Sequence, residues 1–210
     1  MMTVTYQVRS AVYVNLTNRC PCACTFCLRQ NGPGIYGSSP LWLEREPTLK
    51  EVVESLDGWD YGKFKEVVFC GYGEPTERLD VLLEAAKHLK AAHPDVTIRV
   101  NTNGLADLIW GRDTAPDFAG KVDVLSISLN TDDPAEYLAV CRPKFGEAAY
   151  PAMQRFAKNA ASLGIKVVMT IVDAPVTTPE QQVRCRAIAE SLGATLRIRP
   201  YESPGITPKT

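Results

Sequence analysis

Apolar residues fall into short β-branched runs, separated by longer segments in which they recur every three or four positions. The runs Ala11–Thr17, Glu66–Gly71, Thr97–Asn101, Val124–Leu129, Lys166–Val172 and Thr195–Arg199 are bounded by turn residues and predict strands. Helical spacing predicts the segments between them. Thr48–Leu56 opens on a capping-box pair, Thr48 with Glu51. Arg78–Ala92 carries Leu79, Leu82, Leu83, Ala86 and Leu89 at helical intervals, and Pro179–Leu192 follows Thr178 as its N-cap. Pro134–Cys141 and Tyr150–Leu163 form a broken helical pair. Strands alternating with helices predict parallel βαβ units, with near-continuously apolar strands because helices cover both faces. An open (β/α)6 partial TIM barrel fits six such units better than a doubly wound sheet does, although periodicity alone does not choose between them. No fixed-period repeat, low-complexity tract or linker divides the chain, so residues 1–210 are expected to form a single domain.

Composition narrows the class. An apolar fraction of 45% with 22% charged residues is ordinary for a globular protein and excludes disordered and collagen-like chains. Lys plus Arg number 23 against 24 Asp plus Glu, so no long-range field recruits nucleic acid or an anionic membrane. The N-terminal residues lack a basic stretch followed by an apolar run, and no segment approaches the ~20 apolar residues of a membrane span. A cytoplasmic location is the expectation. Seven cysteines in such a chain point to thiol, metal or catalytic chemistry ahead of disulfides. Cys20, Cys22, Cys24 and Cys27 crowd together, whereas Cys70, Cys141 and Cys185 stand apart. With only two histidines, His88 and His93, both in or just after a surface helix, a His-based metal site is not expected. The Gly-, Pro- and Ser-rich Asn31–Pro40 stretch and the tail from Ser203 to Thr210 read as loosely ordered. Gly32-Pro33-Gly34-Ile35-Tyr36-Gly37 matches G-x-G-x-x-G by spacing only, since it follows no strand and opens no helix. Asn15-Leu16-Thr17 matches a glycosylation acceptor but lies in a strand.

The decisive segment begins where the first predicted strand ends, Leu16-Thr17-Asn18-Arg19-Cys20-Pro21-Cys22-Ala23-Cys24-Thr25-Phe26-Cys27. In parallel barrels, chemistry gathers at this C-terminal rim because the connecting loops converge there. Cys20, Cys24 and Cys27 give C-x3-C-x2-C, which lets a short loop offer three thiolates to three irons of a 4Fe-4S cluster and leaves the fourth open. An open iron can chelate a ligand, whereas a saturated cluster only passes electrons. Cys22 is then the odd one out, a spare thiol facing away. A zinc knuckle would use all four cysteines, but zinc sites pair two C-x2-C elements across a longer stretch and no second pair is present.

This loop, with the aromatic Phe26 before its third cysteine, resembles the signature of the radical SAM superfamily. The resemblance implies a radical SAM core in the partial-barrel fold. It also implies S-adenosyl-L-methionine bound through its amino and carboxylate groups to the open iron, with Phe26 near the adenine. The segment Gly71-Tyr72-Gly73-Glu74-Pro75 after the second strand resembles the superfamily's Gly-Gly-Glu-Pro element, implied to bind the methionine amino group, with Tyr72 inserted between the glycines. Thr102 and Asn103 after the third strand, and Ser128 at the end of the fourth, are implied cofactor contacts. Arg142 resembles an arginine that pairs with the methionine carboxylate as a bidentate fork.

The wording around these motifs goes further. Leu41–Pro47, Phe69–Arg78, Asn101–Asp107 and Cys141–Gly146 are similar to the small TatD-associated radical SAM family, which implies a link to a TatD-type hydrolase and leaves the reaction on substrate unnamed. Two loop groups are candidates to meet a small-molecule or side-chain substrate, Asp107, Arg112 and Asp113 after the third strand and Trp42, Glu44, Arg45 and Glu46 after the cysteine loop. An external one-electron reductant of the flavodoxin or ferredoxin type is implied. Cys70 and Cys141 border the motifs as candidate redox thiols or as small core residues. With no second cysteine cluster, an auxiliary iron–sulfur domain is not expected. The competing readings are an activase that installs a glycyl radical in a partner protein, a passive iron–sulfur electron carrier, and a zinc-bound structural or nucleic-acid module.

Overall fold

The chain enters its sheet one strand earlier than the apolar runs predict. Thr5–Val8 (β1) pairs antiparallel with Ala11–Val14 (β2), in register from Thr5 opposite Val14 to Val8 opposite Ala11. A four-residue strand with only Tyr6 and Val8 buried leaves little trace in a hydrophobic profile. From β2 onward every pairing is parallel: Glu66–Phe69 (β3), Thr97–Thr102 (β4), Val124–Ser128 (β5), Lys166–Val172 (β6) and Thr195–Arg199 (β7). The strands lie in chain order, and the seven-stranded sheet is not closed. This is the α/β partial barrel expected, with an antiparallel strand added at one edge. The computed structural model describes residues 2–35 and 37–201, so Tyr36 and the Ser203–Thr210 tail lie outside it.

Helices connect the parallel strands, at Leu49–Asp57 (α1), Leu79–Ala92 (α2), Ala106–Trp110 (α3), Ala115–Phe118 (α4), Pro134–Cys141 (α5), Ala149–Ser162 (α6) and Pro179–Ser191 (α7). The predicted caps form. Thr48 Oγ1 accepts from Glu51 N while Glu51 Oε2 accepts from Thr48 N at 2.8 Å, and Thr178 and Gln181 repeat the arrangement. The two helices that escaped the pattern, α3 and α4, span five and four residues, too few to show a period.

The two faces of the sheet differ in chemistry. One row of registered neighbours, Val14, Phe69, Val100, Leu125 and Val167, is buried beneath the helices together with Phe118 and Phe156, whose rings meet edge to face at 5.7 Å. The opposite row runs Tyr13, Val68, Arg99, Val124 and Lys166. The strands are therefore not near-continuously apolar as expected. β4 reads Thr-Ile-Arg-Val-Asn-Thr with every second residue fully buried, because helices pack on one face only and the other lines an open lumen.

Candidate functional site

The cysteine loop leaves the C-terminal end of β2 and is held from two sides. On the β3 side, Glu74 N donates to Arg19 O at 2.8 Å. Only glycine permits this approach. A Cβ on Gly73 would fall 2.2 Å from Thr17 O and 2.6 Å from Arg19 O, and one on Gly71 would fall 2.1 Å from Asn15 Oδ1. The two glycines thus dock one rim loop onto another. On the β5 side, the end of α5 runs antiparallel to the loop: Ala23 N donates to Cys141 O at 3.1 Å, Thr25 N to Val140 O at 2.9 Å and Lys144 N to Pro21 O at 2.8 Å, and Cys22 bridges Pro143. Charged side chains complete the collar. Arg19 pairs with Glu46 at 2.7 Å and with Glu77 at 3.1 Å, Arg78 pairs with Glu46 at 3.1 Å, and Glu46 also accepts from Thr17 Oγ1.

Within that collar the thiols are not equivalent. Cys22 is buried and shares the Asn103 amide with Cys20, and the adjoining Cys20 and Cys24 thiols, together with burial, drive its pKa upward. Cys22 therefore faces into the thiol group, contrary to the expectation of a spare cysteine turned away. The same contacts favour the thiolates of its neighbours. Cys20 is lowered chiefly by the Cys22 thiol, and Cys24 is held down to about 4 by hydrogen bonds from the Cys141 and Cys22 thiols. Cys141, raised by donating to Cys24, also accepts from Asn130 Nδ2 at 3.1 Å. Burial pushes Cys27 up, opposed by Arg29, and the charges of Cys24 and Cys20 reach it. Among the described residues no three His, Cys, Asp or Glu side chains converge as a ready-made metal site.

Glu74 ties the rim together. Its carboxylate, only 3% exposed, accepts from Thr76 N, Thr76 Oγ1 and Thr102 Oγ1 on Oε1 and from Asn103 N on Oε2. A carboxylate offers about four acceptor sites, so an incoming ammonium group finds only the second lone pair of Oε2. Burial raises the Glu74 pKa against the pull of these donors. Thr102 Oγ1 is occupied as well, since it also accepts from Gly104 N at 3.0 Å. Asn103 faces the cysteines, with Nδ2 at 3.8 Å from Cys22 Sγ and 4.0 Å from Cys20 Sγ, and its Oδ1 accepts from Leu105 N.

The remaining predicted residues divide. Phe26 is half-buried on the loop, and Ser128 ends β5 in register with Thr170. Arg142 is exposed on the segment that pairs with the cysteine loop, with only its Nε engaged, on Ala139 O at 3.3 Å. Tyr72 packs at the sheet edge: its ring lies with Tyr6, Val8 and Leu41, and its hydroxyl donates to Gly32 O at 2.6 Å, while burial and the charge of Cys27 raise its pKa. That bond fastens Gly32, and beside it Leu41 N donates to Pro33 O. Tyr72→Phe is therefore expected to cost about 1 kcal/mol of stability in thermal unfolding, with cofactor cleavage unchanged; lost cleavage would give the hydroxyl a role in the site.

Most of the rim residues held as substrate candidates serve the fold. Asp107 Oδ1 accepts from Thr114 N and Oγ1, Arg112 pairs with Asp117, Asp113 Oδ1 accepts from Ala115 N, and Arg45 pairs with Glu51. Glu46 belongs to the Arg19 collar, while Trp42, 47% exposed, stacks edgewise on Tyr72 at 5.1 Å. The sequence reading missed Asn130, Arg19 and Glu77. Asn130 alone carried a signal, a polar residue at a strand end where φ is +67°.

Fold and rim together define a partial-barrel protein built around a thiolate-rich loop. The sequence profile of the radical SAM superfamily matches residues 14–184, and the chain belongs to that superfamily. Solved structures share the fold. SuiB of Streptococcus suis bound to the precursor peptide SuiA superposes with a TM-score of 0.68 at 17% identity, over 90% of this chain and 39% of that one. A radical SAM methyltransferase from Sphaerobacter thermophilus gives 0.66 at 16% identity, over 97% and 60%. The FeFe-hydrogenase maturase HydG from Carboxydothermus hydrogenoformans gives 0.61 at 16%, over 94% and 46%. The chain thus spans 39% to 60% of the length of these relatives. No curated protein sequence matches it.

Proposed function

We propose that this chain is a radical SAM enzyme in which Cys20, Cys24 and Cys27 hold three irons of a 4Fe-4S cluster and S-adenosylmethionine takes the fourth. The observation that carries this reading is the placement of the C-x3-C-x2-C loop at the C-terminal end of β2, docked through Gly71 and Gly73 onto the Glu74 turn, in a chain whose residues 14–184 match the radical SAM profile. Cysteine thiolates are the ligands that iron–sulfur groups require. That donor set fits the cluster. When bound, the cluster supplies the electron that splits S-adenosylmethionine into methionine and a 5'-deoxyadenosyl radical able to abstract hydrogen.

The chain's own residues bind and orient. Asn103 directs its amide N–H groups at the cysteine sulfurs, and Glu74 fixes Asn103 through its backbone. The Gly71–Glu74 turn receives the methionine amino group, with Tyr72 contributing backbone only. Arg142 offers its terminal nitrogens to the carboxylate, and Phe26 and Ser128 border the adenosine. Similarity in the four motif segments supports the TatD-associated branch, with a small-molecule or side-chain substrate, a flavodoxin- or ferredoxin-type reductant and a cytoplasmic setting. No helix among the described residues is long and apolar enough to cross a membrane.

Anaerobic reconstitution tests the reading. Dithionite-reduced protein should give a 4Fe-4S electron paramagnetic resonance spectrum that changes on adding S-adenosylmethionine, with release of 5'-deoxyadenosine. A spectrum indifferent to the cofactor would make the chain an electron carrier, and bound zinc without iron would make it a structural module.

A further inference from the structure

A parallel barrel ordinarily fills its interior with layers of bulky branched side chains. Here the lumen keeps a cavity of about 260 Å³ whose lining includes Glu66, Arg99, Ser126, Lys166, Val168 and Arg197. Arg199, two residues further along β7, lies on the same face as Arg197. Among the described residues, four cations therefore meet a single carboxylate on this face. Glu66 accepts from an Arg99 terminal nitrogen at 3.1 Å and is half-buried itself. Among the described residues, no acceptor lies within hydrogen-bond distance of the Lys166, Arg197 or Arg199 side chains. The Nε atoms of Arg99 and Arg199 are buried with no partner. Those two buried Nε donors bear a desolvation cost that no acceptor offsets, and the exposed Lys166 and Arg197 add like charges at the open side of the cavity. An oxyanion in the cavity relieves both.

We infer that the lumen binds the substrate of the proposed reaction through an oxyanion, a carboxylate or a phosphate ester, clamped by the guanidinium groups of Arg99 and Arg197. Planar guanidinium forks match such oxygens two at a time, and Lys166 and Arg199 add charge around them. Placement agrees with the chemistry. From Arg99 to Asn103, four residues climb β4 and its end by roughly 13 Å, and the Asn103 amide stands 3.8 Å from Cys22 Sγ. An acid anchored on this floor extends its other end beneath the cysteine loop. The volume suits a small acid and excludes a folded segment of a macromolecule. The inference deepens the proposed radical chemistry and rests on it for the word substrate, while the anion site stands on the lumen alone.

The test uses the reconstituted full chain, titrated anaerobically with pyrophosphate and, separately, with citrate at constant ionic strength, with chloride as reference. Calorimetry should show saturable binding of at least one, and which one separates the phosphate from the carboxylate source. The melting temperature should rise with the logarithm of that anion's concentration. Arg197→Gln, at an exposed position outside the core, should weaken binding about tenfold or more, and Arg99→Gln likewise; Lys63→Gln, on the outer surface, should not. Heat and melting temperature that do not distinguish either anion from chloride would overturn the inference, as would wild-type binding by both arginine variants. Release of 5'-deoxyadenosine is followed in the same samples. Cleavage without anion binding overturns the pocket and spares the cofactor chemistry, and binding without cleavage does the reverse.

Discussion

Cys24→Ala is expected to abolish the cluster outright, leaving colourless protein after anaerobic reconstitution and cofactor cleavage at background. Hydrogen bonding within the thiol group lowers the Cys24 pKa, and of the C-x3-C-x2-C ligands Cys24 is the central one; iron retained by this variant would mean that Cys22, which faces the same group, takes its place. Cys27→Ala should behave alike. Cys22→Ala separates this ligand set from the alternative. Cys22 lies beside Cys20, both within reach of the Asn103 amide, and its pKa is raised by the neighbouring thiols and by burial among them. The variant should therefore keep its iron, measured by iron and sulfide content and by the reduced-state resonance spectrum. A Cys22 variant without iron, beside a Cys27 variant that retains it, would move the third ligand to Cys22 and replace the C-x3-C-x2-C assignment.

Gly73→Ala is expected to have the largest effect of any single methyl group added to the rim. Its Cβ would lie inside contact distance of two backbone carbonyl oxygens, Thr17 O and Arg19 O, and neither can rotate away as a side chain would. Overpacking of this kind costs about 3 kcal/mol, roughly a 6–12 °C fall in melting temperature for a chain of this size. The alternative is a displaced cysteine loop at lower cost, read as lost cluster incorporation with near-normal melting. Gly111→Ala is the control. Gly111, unlike Gly73, has positive φ, at +66°, but nothing lies within 4 Å of its added Cβ, so only the backbone penalty of about 1 kcal/mol applies. A Gly73 variant that melts and takes up iron as wild type would show that the close loop docking is not needed.

The parts of this architecture legible in sequence were those with local causes. The six parallel strands and the long helices show in apolar periodicity, and Thr48 and Thr178 mark helix starts because an N-cap needs a side-chain oxygen within three residues of its target. β1 and the short α3 and α4 were not legible, since their stability comes from what they pack against. Legibility at the site followed the same division. The spacing of Cys20, Cys24 and Cys27 states a ligand set along one short loop, and the polar alternation of β4 was readable as a lumen-facing strand, although the expectation of helices on both faces hid it.

Roles that depend on partners far apart in the chain could not be read in advance. Glu74 looks like an acceptor for a ligand until Thr102 and Asn103 are brought to it from 28 and 29 residues away. Tyr72 sits between two motif glycines in sequence but packs its ring with Tyr6, Val8 and Leu41 in space. Cys141, 117 residues from Cys24, offers its backbone carbonyl to the Cys24 thiol at 3.7 Å, and Arg197 joins Arg99 only because β7 follows β6 into the curved sheet. Sequence by itself determined the order of strands and helices and the identity of the thiolate loop, because both are written in spacing along the backbone. Tertiary structure alone decided which carboxylates are occupied, which cysteines face one another and which cations share the lumen, because hydrogen bonding and electrostatics act through space and depend on burial that no local pattern records.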